Sequence, residues 1–313
     1  MEDSLSISNS KVDVMKKFFT YIVIVLLGVG VTDLVFSLVI EKKVCQNRLA
    51  VFQDSSCDIA ILGASRAIHQ YNPLVISDSL RYSCNVFGLG SQNIYYHYTM
   101  LNGLLAYSKT KPKVVLLELG EVDVNDTPGW NTEELNILFP YYHSDPIVRE
   151  VLSDVLDKKA LSVVAASALY RHNTQILSHL SHGYDGKDES FIGFKPLKRE
   201  WKERITEKDQ GDEGQIDDMK VRYLVKFIQL CRQENMTLIF AVSPYYKLLP
   251  KQLWKEKVKE IANNHHIPLL DHEQDKYFLS HPELFYEPFH LNEKGADVYS
   301  RIIAGEIADC FAR

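Results

Sequence analysis

From residue 58 onward the chain alternates between short apolar runs and longer stretches of mixed polarity. Residues 58–62 (DIAIL), 83–87 (SCNVF), 113–119 (KVVLLEL), 237–242 (TLIFAV) and 267–270 (IPLL) are nearly continuous in apolar side chains, as expected of strands covered on both faces. Between them, residues 72–81 and 93–107 have helical length and pattern, and residues 293–311 close the chain with an amphipathic helix. Strand, helix, strand, helix in sequence predicts a parallel sheet with right-handed crossovers and helices on both faces. The alternation breaks between about 128 and 214, which reads as an insertion. It holds a stretch at 135–142, helices at 147–157 and 160–180, and a polar run at 183–214 expected to be a mobile loop.

One segment departs from the soluble pattern. Residues 18–40 (FFTYIVIVLLGVGVTDLVFSLVI) carry a single charge, Asp33. As a helix they would span about 34 Å, enough to cross a hydrocarbon core of about 30 Å with some tilt. The run is long for the core of a signal peptide and no small-x-small cleavage pattern follows it, so an uncleaved anchor is expected. Asp33 is costly in lipid and predicts a position near the interface or against a partner helix. The expected layout is a polar tail at 1–17, a transmembrane anchor at 18–40, a linker at 41–57, and a catalytic-type domain at 58–313.

Composition adds exclusions. Hydrophobic residues make up 46% and charged residues 24%, which is ordinary for a folded domain. The net charge of -6 argues against nucleic acid as a partner. The lysines around residues 251–259 alternate with glutamates and read as a solvated helix face. Cys45, Cys57, Cys84, Cys231 and Cys310 lack C-x-x-C spacing, and His265, His266, His272 and His281 lack ligand spacing, so neither a metal nor any other cofactor is expected. Cys45 and Cys57 can pair only in an oxidising compartment.

Ligands of parallel α/β sheets bind beyond the C-terminal ends of the strands. Ser65, Gly88, Gly90, Glu121 and Asp123 all fall just past such ends. Ser65 follows Gly63-Ala64 in a turn of small residues, where it serves either as a helix cap or as a nucleophile beside a backbone oxyanion site. Glu287 lies three residues before His290, close enough in a turn to orient the imidazole and leave its other nitrogen basic. Asp271-His272 is a rival pair, ranked lower because adjacent residues of an extended segment point to opposite sides. Gly88-Leu89-Gly90-Ser91-Gln92-Asn93 matches only the first two glycines of a dinucleotide turn and follows the second strand, which disfavours nucleotide binding. Tyr245 and Tyr246, after Pro244, are candidates to line a pocket.

The ordered set, Ser65 in I-L-G-A-S-R, a glycine turn after the second strand, a polar turn after the third, and E-x-x-H-L-N before the last helix, resembles the SGNH/GDSL hydrolase superfamily. It looks most like the membrane-anchored bacterial branch with a G-x-S-R nucleophile turn, which includes enzymes that add or remove acyl groups on cell-surface polysaccharides. The resemblance covers about residues 58–313 apart from the insertion. It implies a flavodoxin-like three-layer α/β/α sandwich around a central parallel sheet. It assigns Ser65 as nucleophile, His290 as general base, Glu287 in the place usually held by aspartate, and the amides of Ser65 and Gly90 as the oxyanion hole. Arg66, Asp123 and Tyr245 are the expected substrate contacts. It departs at Gly120-Glu121-Val122-Asp123: the family commonly has G-x-N-D, and Val122 cannot donate the asparagine's hydrogen bond. The implied function is a single-pass membrane serine esterase or O-acyltransferase with an extracytoplasmic domain, acting on an acylated small molecule or glycan. A weak or inactive relative that binds glycan or a membrane partner is the alternative.

Overall fold

A computed structural model describes residues 2–38, 52, 56–126, 135–172, 193–201, 214–246 and 252–311. The chain opens with helix α1 (Glu2–Phe36), so the polar stretch before residue 18 is helical and continuous with the apolar segment. Within it, Asp13–Phe36 contains an 18-residue window of mean hydropathy 2.2 and is long and apolar enough to cross a membrane. There follow β1 (Ile59–Gly63), α2 (Ser65–Gln70), α3 (Pro73–Leu80), β2 (Cys84–Gly88), α4 (Ile94–Tyr107) and β3 (Val114–Glu118). Helices α5 (Pro146–Val155), α6 (Lys158–Ala166) and α7 (Ala168–Arg171) come next, and then α8 (Asp218–Gln233) and β4 (Thr237–Val242). The chain ends with α9 (Leu253–Asn264), β5 (Leu269–Asp271), α10 (Lys276–Ser280), β6 (Phe285–Glu287), β7 (His290–Leu291) and α11 (Glu293–Phe311).

β1 to β5 form one parallel sheet in the order β2-β1-β3-β4-β5. This is the flavodoxin-like doubly wound order, and the strand order reverses beside β1. Every residue of β1 and β3 is buried, which explains why their sequences do not alternate. Their side chains divide by parity between two cores. Ala60, Leu62, Val115, Leu117 and Phe240 pack with α4, α8 and α9, whereas Ile59, Ile61, Val114, Leu116 and Ile239 pack with α2, α3 and α11. The result is a three-layer α/β/α sandwich.

Local signals set the boundaries. Asn72 accepts the Leu74 N–H and Pro73 occupies the first turn of α3, while Asn93 accepts the Tyr95 N–H to start α4. Asn292 accepts the Gly295 N–H at 3.0 Å and so begins α11 as its cap. The helix expected across 160–180 is interrupted: Ser167 ends α6 and caps α7 by accepting the Tyr170 N–H. Residues 173–180 lie outside the described residues, as do most of the 183–214 run and Cys45. The sequence pattern assigns no element between 214 and 237, yet α8 fills that interval behind an Asp217 cap. Cys57 is a buried thiol.

Candidate active site

β1 runs into α2 through Gly63-Ala64-Ser65. Gly63 is required by crowding: a Cβ there would lie 2.8 Å from Glu118 Cβ and 2.9 Å from the Glu118 carbonyl oxygen. The close approach brings the ends of β1 and β3 together and leaves Ser65, partly exposed, as the first residue of α2. In the turn after the neighbouring strand β2, Gly90 backs onto the serine: a Cβ at Gly90 would lie 3.9 Å from Ser65 Cβ.

The histidine arrives from the other end of the chain. β6 and β7 form a small antiparallel pair in which Glu287 stands directly opposite His290. Cross-strand partners have close Cβ atoms, so the E-x-x-H spacing becomes a contact. His290 Nδ1–H donates to Glu287 Oε1, and the Phe289 N–H donates to Glu287 Oε2 at 3.0 Å. With Nδ1 committed, Nε2 is left as acceptor, and Ser65 Oγ lies 2.8 Å from it. Serine, histidine and glutamate thus form one continuous hydrogen-bonded line across 225 residues of sequence. Burial alone would raise the Glu287 carboxyl. The bonds from His290 and Phe289 outweigh it and hold the group below the ordinary carboxylate range.

Two residues of α2 frame this line. The Gln70 amide donates to the Phe289 carbonyl at 3.0 Å and ties the β6–β7 turn to helix α2. His69 sits edge-to-face against His290 with ring centroids 5.1 Å apart, and its Nδ1–H donates to the Lys195 carbonyl at 2.7 Å. Burial pushes the His69 imidazole below its usual range, so it is neutral at pH 7. The signal for His69 was present in the sequence: it is four residues after Ser65, hence on the same face of any helix starting there.

The remaining candidates divide by direction. The Tyr245 ring packs edge-to-face on Phe289 with centroids 4.9 Å apart, beside the histidine loop. Arg66 turns inward: its Nε lies 3.2 Å from Glu118 Oε1 and its Nη2 donates to the Leu119 carbonyl at 2.6 Å. Asp123 is 1% exposed; it accepts the Gly120 N–H at 2.9 Å and faces His97 Nε2 at 3.3 Å. The rival pair separates. His272 bonds Tyr299 (3.3 Å) and Glu306 (3.1 Å), while Asp271 pairs with Lys255 at 2.7 Å.

No family model matches the chain, and no curated protein is a significant match. Solved structures with similarity include a G-D-S-L family protein described as lipolytic, from Desulfitobacterium hafniense DCB-2 (12% identity, 79% of this chain and 97% of that chain, TM-score 0.42). They also include an acetyl xylan esterase (14%, 80% and 98%, 0.39) and a GDSL-like lipase from Bacteroides thetaiotaomicron VPI-5482 (11%, 87% and 98%, 0.41).

Proposed function

We propose that the protein is a membrane-anchored serine esterase or O-acyltransferase, with Ser65 as nucleophile, His290 as general base and Glu287 as the group that orients the imidazole. The observation that carries this is the 2.8 Å contact between Ser65 Oγ and His290 Nε2, with Nδ1 already held by a carboxylate. His290 takes the hydroxyl proton as Ser65 Oγ attacks an ester carbonyl. Glu287 stabilises the imidazolium that forms. The developing oxyanion is met by the backbone amides of Ser65, at the start of α2, and of Gly90, in the turn after β2. The tetrahedral intermediate collapses, the alcohol leaves with the proton from His290, and an acyl-Ser65 remains. Water completes hydrolysis; a sugar hydroxyl completes transfer. Each second nucleophile is deprotonated by the same imidazole.

Tyr245 and Phe289 form an aromatic wall beside His290, suited to the flat or ring face of an acyl group or glycan. Arg66 and Asp123, spent on internal partners, are assigned here to holding the loops. The apolar α1 supplies the membrane attachment, with the domain on the extracytoplasmic side. Val122 supplies no side-chain donor, so the oxyanion relies on backbone amides, and modest turnover is expected. Ser65→Ala should lower kcat for short-chain acyl esters by on the order of 10⁴-fold or more; equal turnover by the folded variant would remove Ser65 as nucleophile.

A further inference from the structure

β1, β3 and β4 end around one buried carboxylate, Glu118, which is 2% exposed. Its Oε1 accepts the Ser243 N–H at 3.1 Å and the Ser243 hydroxyl at 2.6 Å, and lies 3.2 Å from Arg66 Nε. Its Oε2 accepts the Tyr71 hydroxyl. Arg66 is the residue after Ser65. Besides Glu118 it holds the Leu119 carbonyl at 2.6 Å, lying against Gly120, where a Cβ would come within 2.9 Å of Nη2. The guanidinium therefore clamps the nucleophile turn to the end of β3.

The same carboxylate reaches the histidine. Ser243 begins the loop after β4, and in that loop the Tyr246 N–H donates to the Pro288 carbonyl at 2.8 Å. Pro288 lies between Glu287 and His290. One path from Glu118 runs through Arg66 to Ser65; the other runs through Ser243, Tyr246 and Pro288 to His290.

We infer that Arg66 and Glu118 form a positioning pair that sets the separation of Ser65 and His290, and that Arg66 does not contact substrate. The inference rests on the serine-nucleophile function proposed above. A buried ion pair gains little stability, because desolvation of both charges offsets their attraction. It does impose direction, since a planar guanidinium fork accepts few geometries. A displacement of about 1 Å in a catalytic group can cost about 10²-fold in rate.

The test is the double variant R66M/E118Q, which removes both charges together while the new amide oxygen still accepts from Ser243 and the amide N–H donates to the Tyr71 hydroxyl oxygen. Its thermal midpoint, its kcat and KM for a short acyl ester, and the rate at which a fluorophosphonate labels Ser65 are compared with wild type. We expect a folded protein with KM within about twofold and with kcat and labelling rate both down about 10²-fold. Arg66→Lys retains the charge but not the fork; it carries the same expectation and serves if the double variant does not fold. Wild-type kcat in either folded variant overturns the inference, as does a raised KM at unchanged kcat, which would make Arg66 a substrate contact. Wild-type protein that takes no label at all is a different result and removes the nucleophile assignment itself.

Discussion

Glu287 is the residue on which the chemistry of His290 turns, because a carboxylate on Nδ1 selects the tautomer whose Nε2 is basic. Glu287→Gln should leave the fold intact yet lower kcat about 10³–10⁴-fold, since an amide can hold the wrong tautomer. A steady-state comparison with wild type checks this. Its pH dependence follows from the direction of the shift. The folded carboxyl sits below its ordinary range, so its share of stability is fully present above the unfolded value of about 4.3 and is lost as pH falls through the lower folded value. The Glu287 share of the thermal midpoint should therefore hold on acidification to about pH 4, and E287Q should flatten the loss of midpoint below it. The pair was legible in the sequence because it is local: three residues of spacing become one cross-strand contact. Arg66 and Asp123 were expected as substrate contacts, beside Ser65 and just past the third strand, but position along the chain does not reveal direction. Both side chains turn inward, one to Glu118 and one to His97. Glu118 itself was read only as part of a strand, since nothing in KVVLLEL says that its carboxylate collects three neighbouring segments.

At the scale of elements, α1 is joined to the domain by its only acid in the apolar span. Asp33 accepts the Ser167 hydroxyl at 2.7 Å and the Ala168 and Leu169 N–H groups at 3.1 and 2.9 Å, which caps α7 from outside its own helix. One turn along the same face, Phe36 meets His172 edge-to-face at 5.4 Å. The partner expected for Asp33 is therefore the insertion, and its bonds offset the cost of removing a carboxylate from water on an otherwise apolar helix. Asp33→Ala should destabilise the insertion by about 1–2 kcal/mol, visible as faster proteolysis near α7 in detergent with unchanged cleavage in the sheet; an unaltered cleavage rate would deny the contact. Such a link between distant segments has no periodic signature, so the apolar pattern exposed the helix and the anomaly of Asp33 but not its target. α8 escaped the pattern for another reason: its apolar residues Tyr223, Leu224, Phe227, Ile228 and Cys231 are diluted by charges on the opposite face.

The whole molecule is a sheet whose two core layers share strands by parity, so both should unfold together. Its buried thiols report on this. Desolvation pushes Cys57 and Cys231 up to about 12, and raises Cys84 as well. All three should resist a disulfide reagent in the native protein and become reactive across the same denaturant transition; fast reaction of any of them under native conditions would contradict the packing described. A parallel sheet with helices on both faces was readable from the alternation after residue 58, because parallel strands need crossovers and crossovers need helices; the flavodoxin-like arrangement came only from the resemblance. The meeting of Ser65 with His290 was not readable from pattern alone; it follows from β1 lying at the switch point and β6–β7 folding back over it. The most direct measurement is mass spectrometry of the detergent-solubilised full chain after reaction with a fluorophosphonate, for wild type and His290→Ala. One adduct mapped to Ser65 in wild type, slowed by several orders of magnitude in the variant, is the predicted result. A folded wild type without that adduct, or equal labelling in both proteins, would contradict a serine activated by His290.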